Sequence, residues 1–235
     1  MTTMFWYPPI LTYHRVHAEV ATDTPTVSPA AFEQQMAILA RRWRSISLNT
    51  LVAWLDRRGT LPRRAVVVTF DDGEDNLGTY AWPLLRRYRI PATLFVIADN
   101  VGRPGFLTWE ALRQMAREGI AIGSHTLHHA YLPSLSPDQV QDEVVQSRQR
   151  LEQGLGHPVE FLSYPGGGFT PAVQQAVREA GYQAACTTNR GLRRFSVDRW
   201  ALRRITMHAS AGSILGIWCR CCGYYSTLRR RRAPS

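Results

Sequence analysis

The stretch AVVVTFDDG, residues 65–73, joins an unbroken apolar run to two adjacent carboxylates. A run of this length, rich in Val, is typical of a strand that is buried on both faces, as in a parallel sheet. Asp71 and Asp72 stand where that strand ends, and in parallel α/β barrels the carboxyl ends of the strands form the active face. The stretch therefore predicts a parallel sheet with carboxylates at its functional edge, although Asp is also common in ordinary turns and helix N-caps.

Strand and helix patterns alternate on both sides of this stretch. Further strands are predicted at residues 9–16, 45–48, 93–98, 120–123, 161–164 and 183–187. Helices are predicted at residues 28–42, 50–58, 79–88, 108–118, 136–151 and 171–180. Such alternation indicates βαβ units with right-handed crossovers and a mostly parallel sheet. So many units in one mid-sized chain favour barrel-like closure over an open sheet.

The domain organisation predicted from the sequence is one catalytic domain followed by a short tail. The domain spans residues 1–212, without a linker or an internal repeat, and residues 213–235 form an apolar and Arg-rich extension. We interpret the extension as a packing helix, with peripheral contact to an anionic membrane surface as the alternative, because four Arg follow its apolar segment at residues 229–232. The crowded Cys219, Cys221 and Cys222 match no familiar zinc spacing and are expected to be reduced thiols.

Composition narrows the class of protein. The 235 residues are 45% hydrophobic and 20% charged, which is ordinary for a globular chain. The formal net charge is +10, but the basic residues are spread along the chain and no zinc-finger or RNA-binding signature is present, so we expect no specific nucleic-acid partner. The first residues lack the pattern of a signal peptide, and the chain as given is expected to be cytoplasmic. The sequence does not indicate an oligomeric state.

A second group of polar residues, SHTLHH at 124–129, follows the strand predicted at 120–123. On a helical turn, the spacing of His125 and His129 would place both imidazoles on one face, where they could hold one metal ion. His128 is the alternative second ligand. A His pair alone is more often polar surface, but two imidazoles together with a carboxylate leave metal positions open, as in a catalytic site.

Four motifs together resemble a known family. They are LTYHRV at 11–16, TFDDG at 69–73, PATLFV at 91–96 and IGSHTLHH at 122–129. In order and spacing they resemble the polysaccharide deacetylases, carbohydrate esterase family 4 with the NodB-homology domain, from about residue 9 to residue 206. The resemblance implies an α/β fold, a distorted (β/α) barrel with about seven strands. It also implies a divalent metal, usually zinc, with cobalt, nickel or iron as alternatives.

The resemblance also implies the roles of the residues in these motifs. Asp72, His125 and His129 would hold the metal, and Asp71 would be the general base that takes a proton from the attacking water. The oxyanion would then be stabilised by the metal and by a backbone N–H near Pro165 and Gly166. Hydrolysis would break a carbon–nitrogen bond other than a peptide bond.

The third motif of the family departs from its usual pattern in this sequence. That motif usually has an Arg two residues before its Pro and an aromatic residue after it, whereas Ser163 and Gly166 flank Tyr164-Pro165 here. Tyr164, Pro165 and Gly166 remain the expected substrate and oxyanion residues. Arg203 and Arg204 are the candidates to replace the missing Arg and orient the base, and an ordinary surface salt bridge is the alternative for them.

Two further histidines are weighed against the family pattern. The last motif of the family carries a His as general acid, and His208 is the only late candidate in this chain. His14 ends the first predicted strand and could line the site, but a hydrogen-bonded core His is the favoured interpretation.

The predicted function is removal of acetyl groups from N-acetylated sugars of a poly- or oligosaccharide, so an acetylated carbohydrate is the expected partner. A catalytically weakened carbohydrate-binding homologue is one alternative, and the altered third motif favours it slightly. A hydrolase of the same fold that acts on a non-sugar amide or an O-acetyl ester is another, because the motifs specify the hydrolytic machinery and not the polymer.

Overall fold

The computed structural model describes residues 7–19, 24–188 and 198–208. The predicted extension at 213–235, with its three Cys, lies outside the described residues. The strands are β1 (Ile10–Tyr13), β2 (Arg15–Val16), β3 (Thr26–Val27), β4 (Arg44–Ser45), β5 (Ala65–Phe70), β6 (Ala92–Val96), β7 (Ala121–Ser124), β8 (Phe161–Ser163), β9 (Ala184–Thr187) and β10 (Leu202–Thr206). The α-helices are α1 (Pro29–Arg42), α2 (Leu48–Leu55), α3 (Trp82–Tyr88), α4 (Trp109–Arg117), α5 (Pro137–Leu155) and α6 (Pro171–Glu179).

The described strands form a closed parallel barrel. Neighbours follow the order β1, β10, β9, β8, β7, β6, β5, and the ring closes because β5 also pairs with β1. The short β4 pairs with β5 at Ala65 and Val66. From Val67 onwards, β5 pairs with β1 instead. Seven parallel strands surrounded by helices confirm the predicted (β/α) barrel.

Alternation along the strands separates the inside of the barrel from its helix-covered outside. In β5, Ala65 and Val67 belong to one buried cluster, whereas Val66, Val68 and Phe70 belong to another. The first cluster also contains alternate residues of β1, β6, β8, β9 and β10, together with apolar residues of α2. Since side chains on a strand alternate with a period of two, this cluster fills the barrel and the other packs beneath the helices.

Two differences from the predicted elements have clear local causes. Helix α2 begins at Leu48, not at residue 50, because the Ser47 hydroxyl accepts a hydrogen bond from the N–H of Thr50 and caps the helix there. Strand β10 was not predicted at all, because it contains the adjacent pair Arg203 and Arg204, a pattern that does not suggest a buried strand. None of the helices in the described ranges combines the length and the apolar character that crossing a membrane requires.

Candidate active site

The carboxyl ends of the barrel strands bring polar side chains together inside the ring. Thr69 and Asp71 continue the inward-facing series of β5, Ser163 continues that of β8, and Arg204 continues that of β10. All four side chains are buried. The two-residue period of the strands therefore decides which polar groups meet at this end of the barrel.

Asp72, His125 and His129 form a compact cluster of potential metal ligands. One carboxylate oxygen of Asp72 lies 3.6 Å from Nε2 of His125 and 3.6 Å from Nε2 of His129. The ligand atoms of all three residues lie within 4.8 Å of one another. His125 is buried at the strand end, whereas His129 is exposed, so the cluster opens towards solvent on one side.

The loop that carries the two histidines is not the helical turn assumed from their spacing. Residues 125–130 form no helix, and both Thr126 (φ +64°) and His129 (φ +63°) have left-handed backbone. Asp72 is also left-handed, with φ +71°. Non-glycine residues avoid this region unless the surrounding structure holds them there, and such residues concentrate at functional sites. The predicted pair does converge, but through a folded-back loop that brings the two rings to 4.7 Å in an edge-to-face contact.

The second ring nitrogen of His125 is fixed by the barrel. Its Nδ1 lies 2.8 Å from the carbonyl oxygen of Ser163 at the end of β8. Since a carbonyl can only accept, Nδ1 carries the proton and Nε2 presents its lone pair towards Asp72. A hydrogen bond of this kind is the usual orientation device for a metal-binding imidazole.

A buried glutamate of α5 is hydrogen-bonded to the loop that carries the two histidines. One carboxylate oxygen of Glu143 accepts hydrogen bonds from the N–H groups of Leu127 and His128, both at 3.0 Å. The other lies 2.7 Å from Nδ1 of His128. His128, the alternative ligand considered above, therefore turns its ring to Glu143, and the hydroxyl of Thr126 accepts the N–H of His129 at 3.1 Å.

Asp71 forms a buried ion pair with Arg204. The guanidinium donates to both carboxylate oxygens at 2.7 Å, and the side chains are 0% and 2% exposed for Arg204 and Asp71. Arg204 also donates to the hydroxyls of Ser163 at 2.7 Å and Thr69 at 3.3 Å. Two parallel bonds from a guanidinium fix both the position and the plane of the carboxylate.

The structure distinguishes between the two Arg candidates of β10. Arg204 points into the barrel and reaches Asp71, whereas Arg203, one residue earlier on the strand, is exposed. The surface-bridge alternative is therefore wrong for Arg204, and Arg203 is not the residue that orients Asp71. His14 also differs from the favoured expectation, because its Nε2 lies 3.8 Å from Asp71 and its buried Nδ1 has no hydrogen-bond partner among the described residues.

The protonation states follow from burial and from these neighbours. Burial on its own would raise the pKa of Asp71, but the charge and hydrogen bonds of Arg204 hold that pKa well below its usual range. Burial, followed by the charge of Asp71, raises the pKa of Asp72 to about 6. Burial lowers the pKa of His125 to about 4 and also lowers the pKa of His129. The cluster thus holds neutral imidazoles beside a carboxylate that pairs with no Arg among the residues that the structure describes.

The residues of the third motif divide between core and surface. The Tyr164 side chain, expected to meet substrate, is fully buried, and its hydroxyl donates to the Trp200 carbonyl at 2.9 Å. Its N–H donates to the Cys186 carbonyl at 3.0 Å, so neither group of Tyr164 is open to a ligand. Pro165 is buried, whereas Gly166 is exposed with φ +61°, and its N–H donates to no other described residue.

His208 follows β10 at the same end of the barrel. Its backbone carbonyl accepts a hydrogen bond from the Gln35 side chain at 3.3 Å, and Gln35 in turn accepts from the Tyr13 hydroxyl at 2.8 Å. The role of general acid for His208 stays a prediction.

Two residues near the site, Glu143 and Tyr131, were not singled out from the sequence. His14 was considered there as a residue that could line the site, and its position 3.8 Å from Asp71 agrees with that alternative. Glu143 lies on the buried face of α5 with Val144 and Ser147. Because unpaired carboxylates are rarely buried, an acid on such a face predicts a polar partner nearby. Tyr131 carries no comparable signal in the sequence.

Comparisons with known proteins identify the family to which the chain is similar. The family model for polysaccharide deacetylase matches residues 58–185. YxkH of Bacillus subtilis (strain 168) is 29% identical over 212 residues, which cover 89% of this chain and 75% of YxkH. The peptidoglycan-N-acetylglucosamine deacetylase of Bacillus cereus is 34% identical over 121 residues, which cover 51% of this chain and only 54% of that enzyme.

A solved structure extends the likeness to the whole barrel. The Streptococcus pyogenes deacetylase PplD, in complex with acetate, aligns with a TM-score of 0.85 and 25% identity over 91% of this chain and 97% of PplD. The family match itself covers more than half of the 235 residues and includes Asp71, Asp72, His125 and His129. This chain therefore belongs to the polysaccharide deacetylase family, and it is a hydrolase of carbon–nitrogen bonds other than peptide bonds.

Proposed function

We propose that this chain removes acetyl groups from N-acetylated sugar residues of a poly- or oligosaccharide, with one divalent cation held by Asp72, His125 and His129. The observation that carries the proposal is the position of Asp71, an ionised carboxylate fixed by Arg204 directly beside the cluster of ligands. The Bacillus cereus relative, named for peptidoglycan N-acetylglucosamine, supports an N-acetylated sugar as the substrate class.

The donor atoms of the cluster fit a divalent cation such as zinc. Two neutral imidazoles and one carboxylate are the ligand types that zinc takes in catalytic sites, where further positions stay open for water and substrate. Burial and the neighbouring charge of Asp71 raise the pKa of Asp72, and a bound cation would offset both effects. When bound there, the cation would polarise the acetyl carbonyl and lower the pKa of a coordinated water.

Asp71 acts as the general base in this proposal. It accepts the proton of the attacking water, and Arg204 keeps it ionised at neutral pH. Arg204 also orients the carboxylate through both oxygens, so the base is preorganised before substrate arrives. The Ser163 and Thr69 hydroxyls accept hydrogen bonds from the guanidinium and so help to fix the group that orients the base.

The proposed oxyanion donor is the backbone N–H of the exposed Gly166. This N–H, unbonded to the described residues, is available to stabilise negative charge that develops on the acetyl oxygen. The departing amine must take up a proton, and His208 is the candidate donor.

The buried ion pair bears on the catalytically weakened alternative. The altered third motif, which lacks the usual Arg, favoured that alternative slightly, and in this proposal Arg204 from β10 orients the base instead. A binding protein without turnover gains nothing from a buried, ionised base, because burying an ion pair is costly. We therefore favour an active hydrolase.

Acetate release tests the proposal. Purified protein with added zinc is incubated with N-acetylglucosamine oligomers linked β-1,4 or β-1,6, with acetylated peptidoglycan fragments, and with O-acetylated xylan. Mass spectrometry should show loss of acetyl groups from an N-acetylated oligomer and no loss with the Asp71→Asn variant. Release from xylan alone would support the O-acetyl ester alternative, and release from none of these glycans would contradict the proposal.

A further inference from the structure

Tyr131 stands out on the surface of the barrel. Its side chain is 54% exposed, and it is the only large hydrophobic side chain in the described ranges that is left exposed. It follows His129 by two residues, so it lies on the same loop as the proposed metal ligand. An exposed Tyr at this place offers an apolar ring face and a polar hydroxyl to a ligand.

The ring lies against the glycine loop of the third motif. A methyl group placed on Gly168 would lie 2.2 Å from Cε2 of Tyr131 and 2.7 Å from its hydroxyl oxygen, and one placed on Gly166 would lie 3.5 Å from the ring. The backbone at Gly168 has φ −79° and ψ 136°, a conformation that any residue adopts. A side chain at Gly168 would therefore clash with the Tyr131 ring without straining the backbone.

The backbone of Tyr131 is also held in place. Its carbonyl accepts hydrogen bonds from the N–H of Ser134 at 3.0 Å and from the Ser134 hydroxyl at 2.8 Å. The ring thus bridges two loops that adjoin the site. One loop carries His129, and the other begins after Ser163, whose carbonyl holds His125.

We propose that the Tyr131 ring is the stacking platform for a sugar ring of the substrate, next to the residue that loses its acetyl group. This inference rests on the proposed function and names the residue that replaces the aromatic side chain missing at Gly166. A pyranose ring has an apolar C–H face, and binding sites use aromatic side chains for such surfaces. A Tyr already held against a loop loses little freedom when a ligand binds, which favours affinity.

The test compares the wild type with Tyr131→Ala, Tyr131→Phe and Gly168→Ala, using a β-1,4-linked N-acetylglucosamine tetramer as the probe. KM is measured from acetate release, and Kd for the tetramer is measured by calorimetry in an Asp71→Asn background, where the substrate is not consumed. Loss of the ring should raise KM and Kd roughly three- to tenfold, with kcat changing less. Tyr131→Phe keeps the ring and should stay within twofold of the wild type.

Gly168→Ala tests the same ring from the other side of its contact with the glycine loop. It should weaken tetramer binding when Tyr131 is present, because the new methyl group displaces the ring, and should have no further effect in the Tyr131→Ala background. Zinc content and melting temperature, measured for each variant, separate this effect from damage to the site or the fold.

The outcomes distinguish this inference from the proposed function. Equal Kd for wild type and Tyr131→Ala, or no binding of the tetramer by the wild type, would overturn the inference whatever the activity. An effect of Gly168→Ala that persists without Tyr131 would also overturn it. Binding that depends on Tyr131 in a protein that releases no acetate would support the platform and contradict the deacetylase proposal.

Discussion

Asp71 and Asp72 are adjacent in the chain, yet the barrel gives them different partners. Asp71 continues the inward series of β5 and pairs with Arg204, whereas Asp72, with its left-handed backbone, turns to His125 and His129. Asp71→Asn should therefore retain zinc and lose turnover by roughly 10²- to 10⁴-fold, because an amide does not accept the proton of the attacking water. Asp72→Asn should lose zinc affinity, and excess zinc should restore part of its rate.

Elemental analysis and acetate release, measured side by side on both variants, check this pair of expectations. A melting curve of each variant controls for folding, because Asp71→Asn leaves the buried Arg204 without its charged partner. Loss of zinc by Asp71→Asn with retention by Asp72→Asn would mean that the two roles are reversed.

Arg204 should set the acid limit of activity. The base works only when Asp71 is ionised, so activity falls as pH decreases through the pKa of Asp71. Burial raises that pKa and the charge and hydrogen bonds of Arg204 lower it, so in Arg204→Gln the pKa should rise and the acid limb of the kcat/KM profile should move to higher pH.

Arg204→Lys is the matched control, because it retains the charge and loses the paired hydrogen bonds. It should shift the acid limb less than Arg204→Gln does. Both variants should also be destabilised, by about 3–5 kcal/mol when the buried pair is broken outright, so profiles are recorded well below the melting temperature. An unchanged acid limb in Arg204→Gln would show that Asp71 does not govern it.

At the scale of elements, helix α5 supports the proposed metal site through one side chain. Glu143 accepts two backbone N–H groups of the histidine loop and contacts the His128 ring. Glu143→Leu would leave these buried donors unpaired and release the folded-back loop that aims His129. We expect roughly 10- to 100-fold weaker zinc binding, the range typical of lost outer-shell contacts, measured by competition with a chromogenic chelator.

Two controls make the Glu143 experiment specific. Glu143→Gln keeps an oxygen for the two N–H groups and should retain most of the affinity. His128→Ala removes only the contact of a ring that is 59% exposed and should change zinc binding little. If His128→Ala loses as much affinity as Glu143→Leu, His128 acts as a ligand after all.

At the scale of the whole molecule, a bound cation should stabilise the barrel. The proposed ligands come from the ends of β5 and β7, so they meet only in the folded chain. An ion that binds only the folded chain raises the free energy of unfolding by about 2.7 kcal/mol at a free concentration of 100 times Kd. Zinc added to chelator-treated protein should raise the melting temperature in calorimetry and bind at about one ion per chain. The rise should be much smaller in Asp72→Asn, and an equal rise in that variant would place the ion elsewhere.

The sequence by itself determined the barrel class and the catalytic motifs, because both depend on local patterns. Apolar runs such as residues 65–70, alternating with helical periods, specify strands and helices, and a strand end specifies where Asp71, Asp72 and His125 stand. The spacing of the motifs then carried the resemblance to the family, which the comparisons confirm.

Only the tertiary structure decided which distant residues complete the site. Arg204 is 133 residues from Asp71, and it reaches that carboxylate because β10 and β5 are both neighbours of β1 in the closed ring. Neither the choice of Arg204 over Arg203 nor the position of Tyr131 on the glycine loop can be obtained from local pattern. Both depend on how strand register and loop packing place side chains in space, and a buried charge or an exposed ring is stable there only through partners that are remote in the chain.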